Sequence, residues 1–274
     1  MDNHEIVMSD QEFFRLYTFL KNKYGIDMSK KREIVSGRLE NYMRSSEWNS
    51  FTEYLNAMEN DPSGMLEKSL VNMMTTNHTF FMREFQHFEY LKQVVLPELK
   101  KSEEQKKDLH IWCGASSTGE EPYTLAMVLL DFFGLEKKDW DTTILATDIS
   151  TNALKHAIAG VYTAEQVESL PDNWKRRFFK KDLEGNTYTA TQELKNEVLY
   201  RQFNLMNPFP FTKKMHVIFL RNVMIYFDDR TKKELLKKVY DILVPGGYLF
   251  IGQTETVDRN VVPFKMVKPS VYRK

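Results

Sequence analysis

Apolar residues in the first 75 positions recur at helical spacing. Ser9 and Glu12 have the spacing of a capping box, and Phe13, Leu16, Tyr17 and Leu20 follow on one face. Gly25 is placed to stop that helix. Ser29 stands where it can cap a second helix carrying Ile34, Leu39, Tyr42 and Met43. Ser50 and Glu53 repeat the capping box before Tyr54, Leu55 and Met58, and Asp61-Pro62 reads as a cap with proline at the first helical position. Short amphipathic helices must bury their apolar stripes against one another, so the spacing predicts a small all-helical bundle over residues 1–75. Residues 76–104 read as a linker and one further helix.

From about residue 105 the period changes. Short apolar runs at 109–113, 142–146, 215–220 and 248–251 alternate with helical stretches at 121–133, 151–159 and 232–243. Strands alternating with helices predict a doubly wound α/β sheet, parallel in its middle, over residues 105–274. Pro245-Gly246-Gly247 is a turn into the strand at 248, and residues 264–272 supply a candidate last strand. Residues 160–200 break the rhythm. Leu170-Pro171 and the cluster from Asp182 to Asn186 are turn-like, whereas Thr187-Tyr188-Thr189-Ala190-Thr191 favours a strand. A small inserted antiparallel β-subdomain is expected there.

Composition narrows the function classes. The 274 residues are 42% hydrophobic and 28% charged, an ordinary globular balance. Thirty-eight basic residues match 38 acidic ones, which argues against whole-molecule attraction to nucleic acid. One cysteine, Cys113, excludes an internal disulfide framework and a cysteine-rich metal site, and suits a reducing cytoplasm; no metal is expected. The start, MDNHEIVMSD, lacks the basic and apolar runs of a signal peptide, and no stretch of 18 apolar residues exists for a membrane span.

The candidate chemistry begins at Trp112-Cys113-Gly114-Ala115-Ser116-Ser117-Thr118-Gly119-Glu120-Glu121-Pro122-Tyr123, a strand feeding a loop of small residues and then a helix. That is the first turn of a doubly wound sheet, where ligands lie at the carboxyl ends of strands. A phosphate-binding loop would place Lys and Ser or Thr after the second glycine, but Glu120 and Glu121 stand there, and two carboxylates repel a phosphate. The dinucleotide glycine fingerprint is absent too. A cationic nucleoside without phosphates fits better, and S-adenosylmethionine is one. Glu120 is read as favouring the helix dipole, Glu121 as a ligand contact. Asp148 ends the second strand in Leu145-Ala146-Thr147-Asp148, where a carboxylate can take both ribose hydroxyls, although Asp148 or Ser150 could instead cap the next helix. Cys113 reads as a small buried hydrophobe and His78 as structural.

Five segments together resemble the CheR family, chemotaxis methyltransferases that methylate receptor glutamates. They are Thr75-Thr76-Asn77-His78-Thr79-Phe80-Phe81-Met82-Arg83-Glu84, Thr118-Gly119-Glu120-Glu121-Pro122-Tyr123, Thr147-Asp148-Ile149, Arg221-Asn222-Val223-Met224-Ile225-Tyr226-Phe227 and Gly247-Tyr248-Leu249-Phe250-Ile251-Gly252. The resemblance spans nearly the whole chain and implies a Rossmann-like methyltransferase sheet. It also implies a site for S-adenosylmethionine and its product S-adenosylhomocysteine. Asn77, Thr79 and Arg83 would close over the cofactor, Glu121 would take its amino group, and Asp148 its ribose. Asn204 and Leu205 would meet the adenine side, and Arg221 and Asn222 would end the fourth strand beside it. Arg83 and Tyr226 would flank the methyl group and the incoming glutamate. Without the resemblance, Asn77 and Thr79 read as a helix cap, Asn204 as a turn residue and Tyr226 as core; Arg221 could be a surface charge, but a lone arginine after the apolar run 217–220 sits at a strand's carboxyl end.

The resemblance implies a partner as well: the cytoplasmic domain of chemoreceptors, met by basic residues of the helical domain. Lys30, Lys31, Arg32, Arg38 and Arg44 are the candidates, five basic residues against Glu33 and Glu40 over 28–44. Asn41 and Tyr42 stand where the enterobacterial pattern is basic. In some members the β-subdomain binds a receptor C-terminal pentapeptide as an added strand. The turn from Asp182 to Asn186 looks shorter than in those members, so no tether is expected. Neither nucleic-acid binding nor membrane insertion is expected, and the chain is expected to be a cytoplasmic monomer. Two rival readings are a non-catalytic S-adenosylmethionine-binding regulator and a small-molecule O-methyltransferase. Both Arg83 and Tyr226 speak against the first, and the helical domain and β insertion against the second.

Overall fold

A computed structural model of the chain describes residues 7–46 and 48–274. They form two compact units. One runs to Thr76 and includes Ile225–Lys232; the other comprises Asn77–Met224 and Lys233–Lys274.

The first unit is helical. α1 (Asp10–Tyr24) opens with the expected capping box: the Ser9 hydroxyl accepts from the Glu12 N–H, and the Glu12 carboxylate accepts from the Ser9 N–H at 2.8 Å. Gly25 ends it at φ 72°, where a side chain would be strained. α2 (Arg32–Arg44), α3 (Phe51–Glu59) and α4 (Met65–Met74) follow, and Ser50 caps α3. Two expected caps are displaced. Ser29 hydrogen-bonds back to Asp27, and α2 starts at Arg32 without a side-chain cap. Asp61 accepts from the Ser63 and Leu66 N–H groups, but α4 starts at Met65, beyond Pro62. In both places an aspartate closes a local turn that competes with helix initiation. Leu16, Leu20, Leu39, Tyr54, Leu70 and Met74 are fully buried together. Burial of each contributes about 1.5–3 kcal/mol.

The second unit begins with a helical run, α5 (Gln86–Tyr90) and α6 (Leu96–Ser102), joined by a π-helical turn at Leu91–Val95. Strands and helices then alternate as expected: β1 (Ile111–Gly114), α7 (Glu120–Phe133), β2 (Ile144–Asp148) and α8 (Thr151–Ala159). The insertion holds β3 (Val161–Thr163), α9 (Asp172–Phe178), β4 (Phe179–Lys181), β5 (Thr187–Ala190) and α10 (Gln192–Asn196). Its strands form a separate antiparallel sheet in the order β3-β5-β4. β6 (Val198–Gln202), β7 (Met215–Leu220), α11 (Asp229–Ile242), β8 (Leu243–Ile251), β9 (Lys265–Lys268) and β10 (Val271–Arg273) complete the chain. The main sheet has the order β6-β2-β1-β7-β8-β10-β9, parallel from β6 to β8 and antiparallel beyond.

Three boundaries differ from the sequence expectation. β6 lies within the last residues of the expected insertion, yet it pairs in parallel with β2. It is an edge strand ending in exposed Arg201 and Gln202, so it lacks the apolar run of a strand buried on both faces. The expected single last strand is a hairpin, β9 and β10, with Pro269 and Ser270 between. β8 starts at Leu243, so Pro245-Gly246-Gly247 lies inside the strand as an irregularity, with Gly246 at φ 80°. β1 and β7 are buried at every position, which sets the core of the sheet. Among the described residues, no helix is long and apolar enough to cross a membrane.

Candidate active site

β1, β2 and β7 are parallel neighbours, so Gly114, Asp148 and Leu220 end at the same edge of the sheet. The loop after β1 is conformationally unusual. Ala115 and Ser117 have φ 58° and 51°, in the left-handed region that costs a non-glycine residue energy. Gly119, at φ 102°, starts α7, and a Cβ there would lie 2.7 Å from the Tyr162 hydroxyl. The Ser116 hydroxyl in this loop is buried and has no hydrogen-bond partner among the described residues.

The strained loop meets Asp148. Its Oδ2 accepts from the Ser117 N–H at 2.8 Å, and its Oδ1 from the Ser150 N–H at 2.8 Å. Ser150 itself caps α8 through Ala153, so of the two cap readings the one for Ser150 holds, and Asp148 closes the turn before it. Asp148 is 6% exposed. Burial pushes its carboxyl above the ordinary value, and the backbone donors of Ser150 and Ser117 pull it back only partly. An ionised carboxylate has about four lone-pair sites, more than the backbone N–H groups of Ser150, Ser117 and Ile149 fill.

The second cluster is built on Arg221, which follows β7. It is the only buried lysine or arginine among the described residues, and not a surface charge. Its Nη1 donates to Glu121 at 2.6 Å, its Nη2 to the Arg83 carbonyl at 2.5 Å and to Glu84 at 3.1 Å, and its Nε to Glu84 at 3.3 Å. Glu84 also accepts from the Gln253 N–H at 3.2 Å and the Asn222 amide at 3.4 Å. Burial pushes the Glu84 carboxyl up, but the Arg221 guanidinium, the Gln253 N–H and His87 together outweigh this and hold it below its ordinary value. His87 lies beside the pair; burial, with Arg221 next, lowers its pKa to about 4. It is therefore neutral at physiological pH.

The structure thus joins Arg83, Glu121, Arg221 and Asn222 through Glu84, a residue the sequence reading left without a role. Its only early signal was its place beside Arg83 in a polar segment. Met82 and Glu84 adopt φ 60° and 55°, so Arg83 sits between two left-handed residues. The Arg83 Nη1 donates to the His78 carbonyl at 2.9 Å, and its guanidinium lies 5.7 Å from the Phe80 ring centroid. Cys113 is buried, as expected, but it is more than a hydrophobe: its thiol donates to Glu121 at 3.2 Å, and burial raises its pKa well above the ordinary value. Glu120 points away from this network. It is 1% exposed, accepts from Thr118 at 2.6 Å and Gln166 at 3.3 Å, and burial raises its pKa.

The remaining candidates fall around these clusters or outside them. Asn77 offers its carbonyl to the Ser117 hydroxyl at 3.1 Å, and both Asn77 and Thr79 lie in the non-helical stretch before Arg83. The Asn204 side chain accepts from the Met206 N–H at 2.9 Å, the turn geometry that its position before Pro208 suggested. Leu205 is buried, and Lys238 ties its carbonyl and those of Met206 and Asn207. Tyr226 belongs to the first unit, where its carbonyl accepts from the Asp27 N–H at 2.9 Å and Lys31 lies 5.3 Å from its ring centroid. Of the other basic candidates, Arg32 pairs with Asp10, and Arg38 donates to the Met73 and Met74 carbonyls at the end of α4. Lys30 and Arg44 are exposed.

The chain is similar to known proteins over nearly its whole length. A family described as CheR methyltransferase, SAM binding domain, matches residues 77–273, and one described as CheR methyltransferase, all-alpha domain, matches residues 11–75. A chemotaxis protein methyltransferase of Borreliella burgdorferi is 34% identical over 276 residues, covering 99% of this chain and 97% of the relative. Chemotaxis protein methyltransferase 2 of Pseudomonas aeruginosa is 35% identical, covering 92% of this chain and 89% of that one. The Escherichia coli chemotaxis protein methyltransferase is 33% identical, covering 97% and 92%.

Proposed function

The chain belongs to the CheR methyltransferase family, and on that premise we propose that it transfers the methyl group of S-adenosylmethionine to glutamate side chains of chemoreceptor cytoplasmic domains, forming methyl esters. The observation that carries the reading is the buried and half-buried charge at the strand ends. Glu84, Glu121 and Asp148 bring three formal negative charges, and Arg221 is the one buried cation against them. A site with that imbalance favours a cationic ligand and disfavours a phosphate.

The donor set fits S-adenosylmethionine. Asp148 keeps acceptor capacity for the ribose hydroxyls, and Glu121 is a carboxylate that can take an ammonium group. Arg221 holds that carboxylate at 2.6 Å, which fixes where it points. Asn77 and Thr79 would cover the donor, Asn204 and Leu205 would border its adenine, and Asn222 would flank it beside Arg221. When bound, S-adenosylmethionine supplies an electrophilic methyl group on a sulfonium.

A glutamate acceptor has an unperturbed pKa of about 4.3 and is already a carboxylate at neutral pH, so no general base is needed. Its oxygen forms a C–O bond as the methyl–sulfur bond breaks, with the electron pair staying on sulfur and no proton moving. The protein aligns the two reactants and removes water from them. Arg83 commits one nitrogen to His78, and a guanidinium has five N–H donors, so a fork remains to orient the acceptor carboxylate. Tyr226 would flank the acceptor from the segment after β7. Lys30 and Arg44, exposed on the helical unit, would steer an acidic receptor surface, an attraction that salt screens.

The test is incubation with methyl-labelled S-adenosylmethionine and a receptor cytoplasmic fragment. Base-labile label on the fragment is expected. No label on any carboxylate overturns the reading.

A further inference from the structure

We propose that Glu255, which no motif or family resemblance singled out, is a positioning residue: it holds the left-handed turn at Asn222 and thereby aims Arg221, Glu121 and Arg83. The inference rests on the site assigned above. Glu255 is 7% exposed, a buried carboxylate with backbone donors on both oxygens. Its Oε2 accepts from the Asn222 N–H at 2.9 Å and the Gly252 N–H at 2.7 Å, and its Oε1 accepts from the Met224 N–H at 2.7 Å. The Glu255 N–H donates in return to the Gly252 carbonyl at 2.9 Å. One side chain therefore ties the loop leaving β7 to Gly252, the residue that follows β8.

What it ties is under constraint. Asn222 has φ 56°, and its amide nitrogen would lie 2.3 Å from a Cβ at Gly252. Gly252 thus makes room for the Asn222 side chain, which donates to Glu84 at 3.4 Å. Glu84 holds Arg221, and Arg221 holds both Glu121 and the Arg83 carbonyl. The path from Glu255 to the candidate reacting groups is a continuous set of hydrogen bonds. Removing the charge leaves N–H groups without an acceptor in a buried place, and the turn must shift to satisfy them. A displacement of about 1 Å in such a support costs about a hundredfold in rate when it misaligns reactants.

The test uses the full chain with Glu255→Gln, which keeps the volume but turns an NH2 group toward backbone donors, and with Glu255→Asp, which keeps the charge on a shorter arm. Turnover and KM are measured with labelled S-adenosylmethionine and a receptor fragment, and S-adenosylhomocysteine affinity by calorimetry. Expected for Glu255→Gln is a kcat lower by at least about tenfold with receptor-fragment KM within about twofold, and product affinity weaker by about tenfold. Glu255→Asp should recover part of both. A folded Glu255→Gln protein with kcat and product affinity within about twofold of wild type overturns the proposal, even if its melting point falls. If the wild type transfers no label, the acceptor reading fails, and the product affinities alone decide the role of Glu255. If Glu255→Gln does not fold, amide exchange in the wild type decides it. Slow exchange at Asn222, Met224 and Gly252 supports the clamp, and exchange as fast as in exposed loops overturns it.

Discussion

The two ends of the parallel sheet both gather buried and half-buried charge, and they settle it differently. At the amino ends of β1 and β7, Asp108 is paired with Lys213 at 2.8 Å and with His110 at 2.9 Å, and Glu103 is paired with Lys106 at 3.0 Å. The His216 Nδ1 accepts the His110 N–H at 2.9 Å, which closes that end. Each acid there has a lysine. At the carboxyl ends, Glu84 and Glu121 share one arginine, and the two Asp148 oxygens accept from backbone N–H groups. Among the described residues, five of the seven non-glycine residues with left-handed φ, Met82, Glu84, Ala115, Ser117 and Asn222, belong to that edge. Left-handed backbone also occurs at the amino end, at Lys107, so what separates the two ends is the charge balance. Under the proposed function, the surplus negative charge at the carboxyl end is what a cationic ligand would complete.

The strongest way to break the contrast is Arg221→Met. It strands Glu84 and Glu121 without their cation, and removing one partner of a buried pair costs about 3–5 kcal/mol. The urea midpoint should fall accordingly, and turnover should be lost with it. An unchanged midpoint would mean that the carboxyl end is as self-sufficient as the amino end. Next in size is Arg83→Ala, expected to lower kcat about a hundredfold, because the acceptor carboxylate loses its orienting fork. Affinity for S-adenosylhomocysteine should stay within about tenfold, and an intact rate would remove Arg83 from the reaction.

Asp148→Asn should weaken S-adenosylhomocysteine by about ten- to a hundredfold in calorimetry, the size expected for hydrogen bonds to a charged acceptor. Because burial raises the Asp148 pKa, wild-type affinity should fall as the solution becomes weakly acidic, above the range where an exposed aspartate titrates. Hydroxyl donors stabilise the ionised form, so protonation opposes binding. Affinity independent of pH there would count against the ribose contact.

The smallest effect belongs to the amino end. Burial, and the neighbouring His110 and Lys106, lower the His216 pKa from 6.5 against the pull of Glu103 and Asp108. The folded protein favours neutral His216, so its contribution is complete above pH 6.5 and declines as pH falls below it. His216→Gln should flatten that part of the stability profile and leave turnover at neutral pH unchanged. A loss of turnover would show that the amino end also serves the reaction.

Much of this was legible beforehand, for local reasons. The capping box at Ser9, the glycine stop at Gly25 and the helix at 151–159 depend on neighbours within a turn, and all are present. The apolar runs of β1 and β7 mark strands buried on both faces. Ser29 and Asp61 misled because a side chain that can cap a helix can also close a turn, and the choice depends on the helix that follows. β6 was missed because an edge strand needs no apolar run. Glu121, Asp148 and Arg221 were visible because they end strands or start a helix. Glu84 and Glu255 were not, since a glutamate in a loop gives no sign of the backbone groups that will surround it.

Residue order alone therefore decided the helical bundle, the alternating sheet and the exclusion of a phosphate ligand, because periodicity and the charge beside Gly119 act over a few residues. Only the tertiary structure decided that Arg221 is a buried hub and not a surface charge, that Cys113 donates to Glu121, and that Glu255 braces the turn at Asn222. The contacts of Arg221 with Glu121 and Arg83, and of Glu255 with Asn222, join residues 33 to 138 positions apart, whereas Cys113 and Glu121 are 8 apart and meet across the turn from β1 to α7. Which partners meet across such distances is set by strand order and register, which no local pattern in the chain encodes.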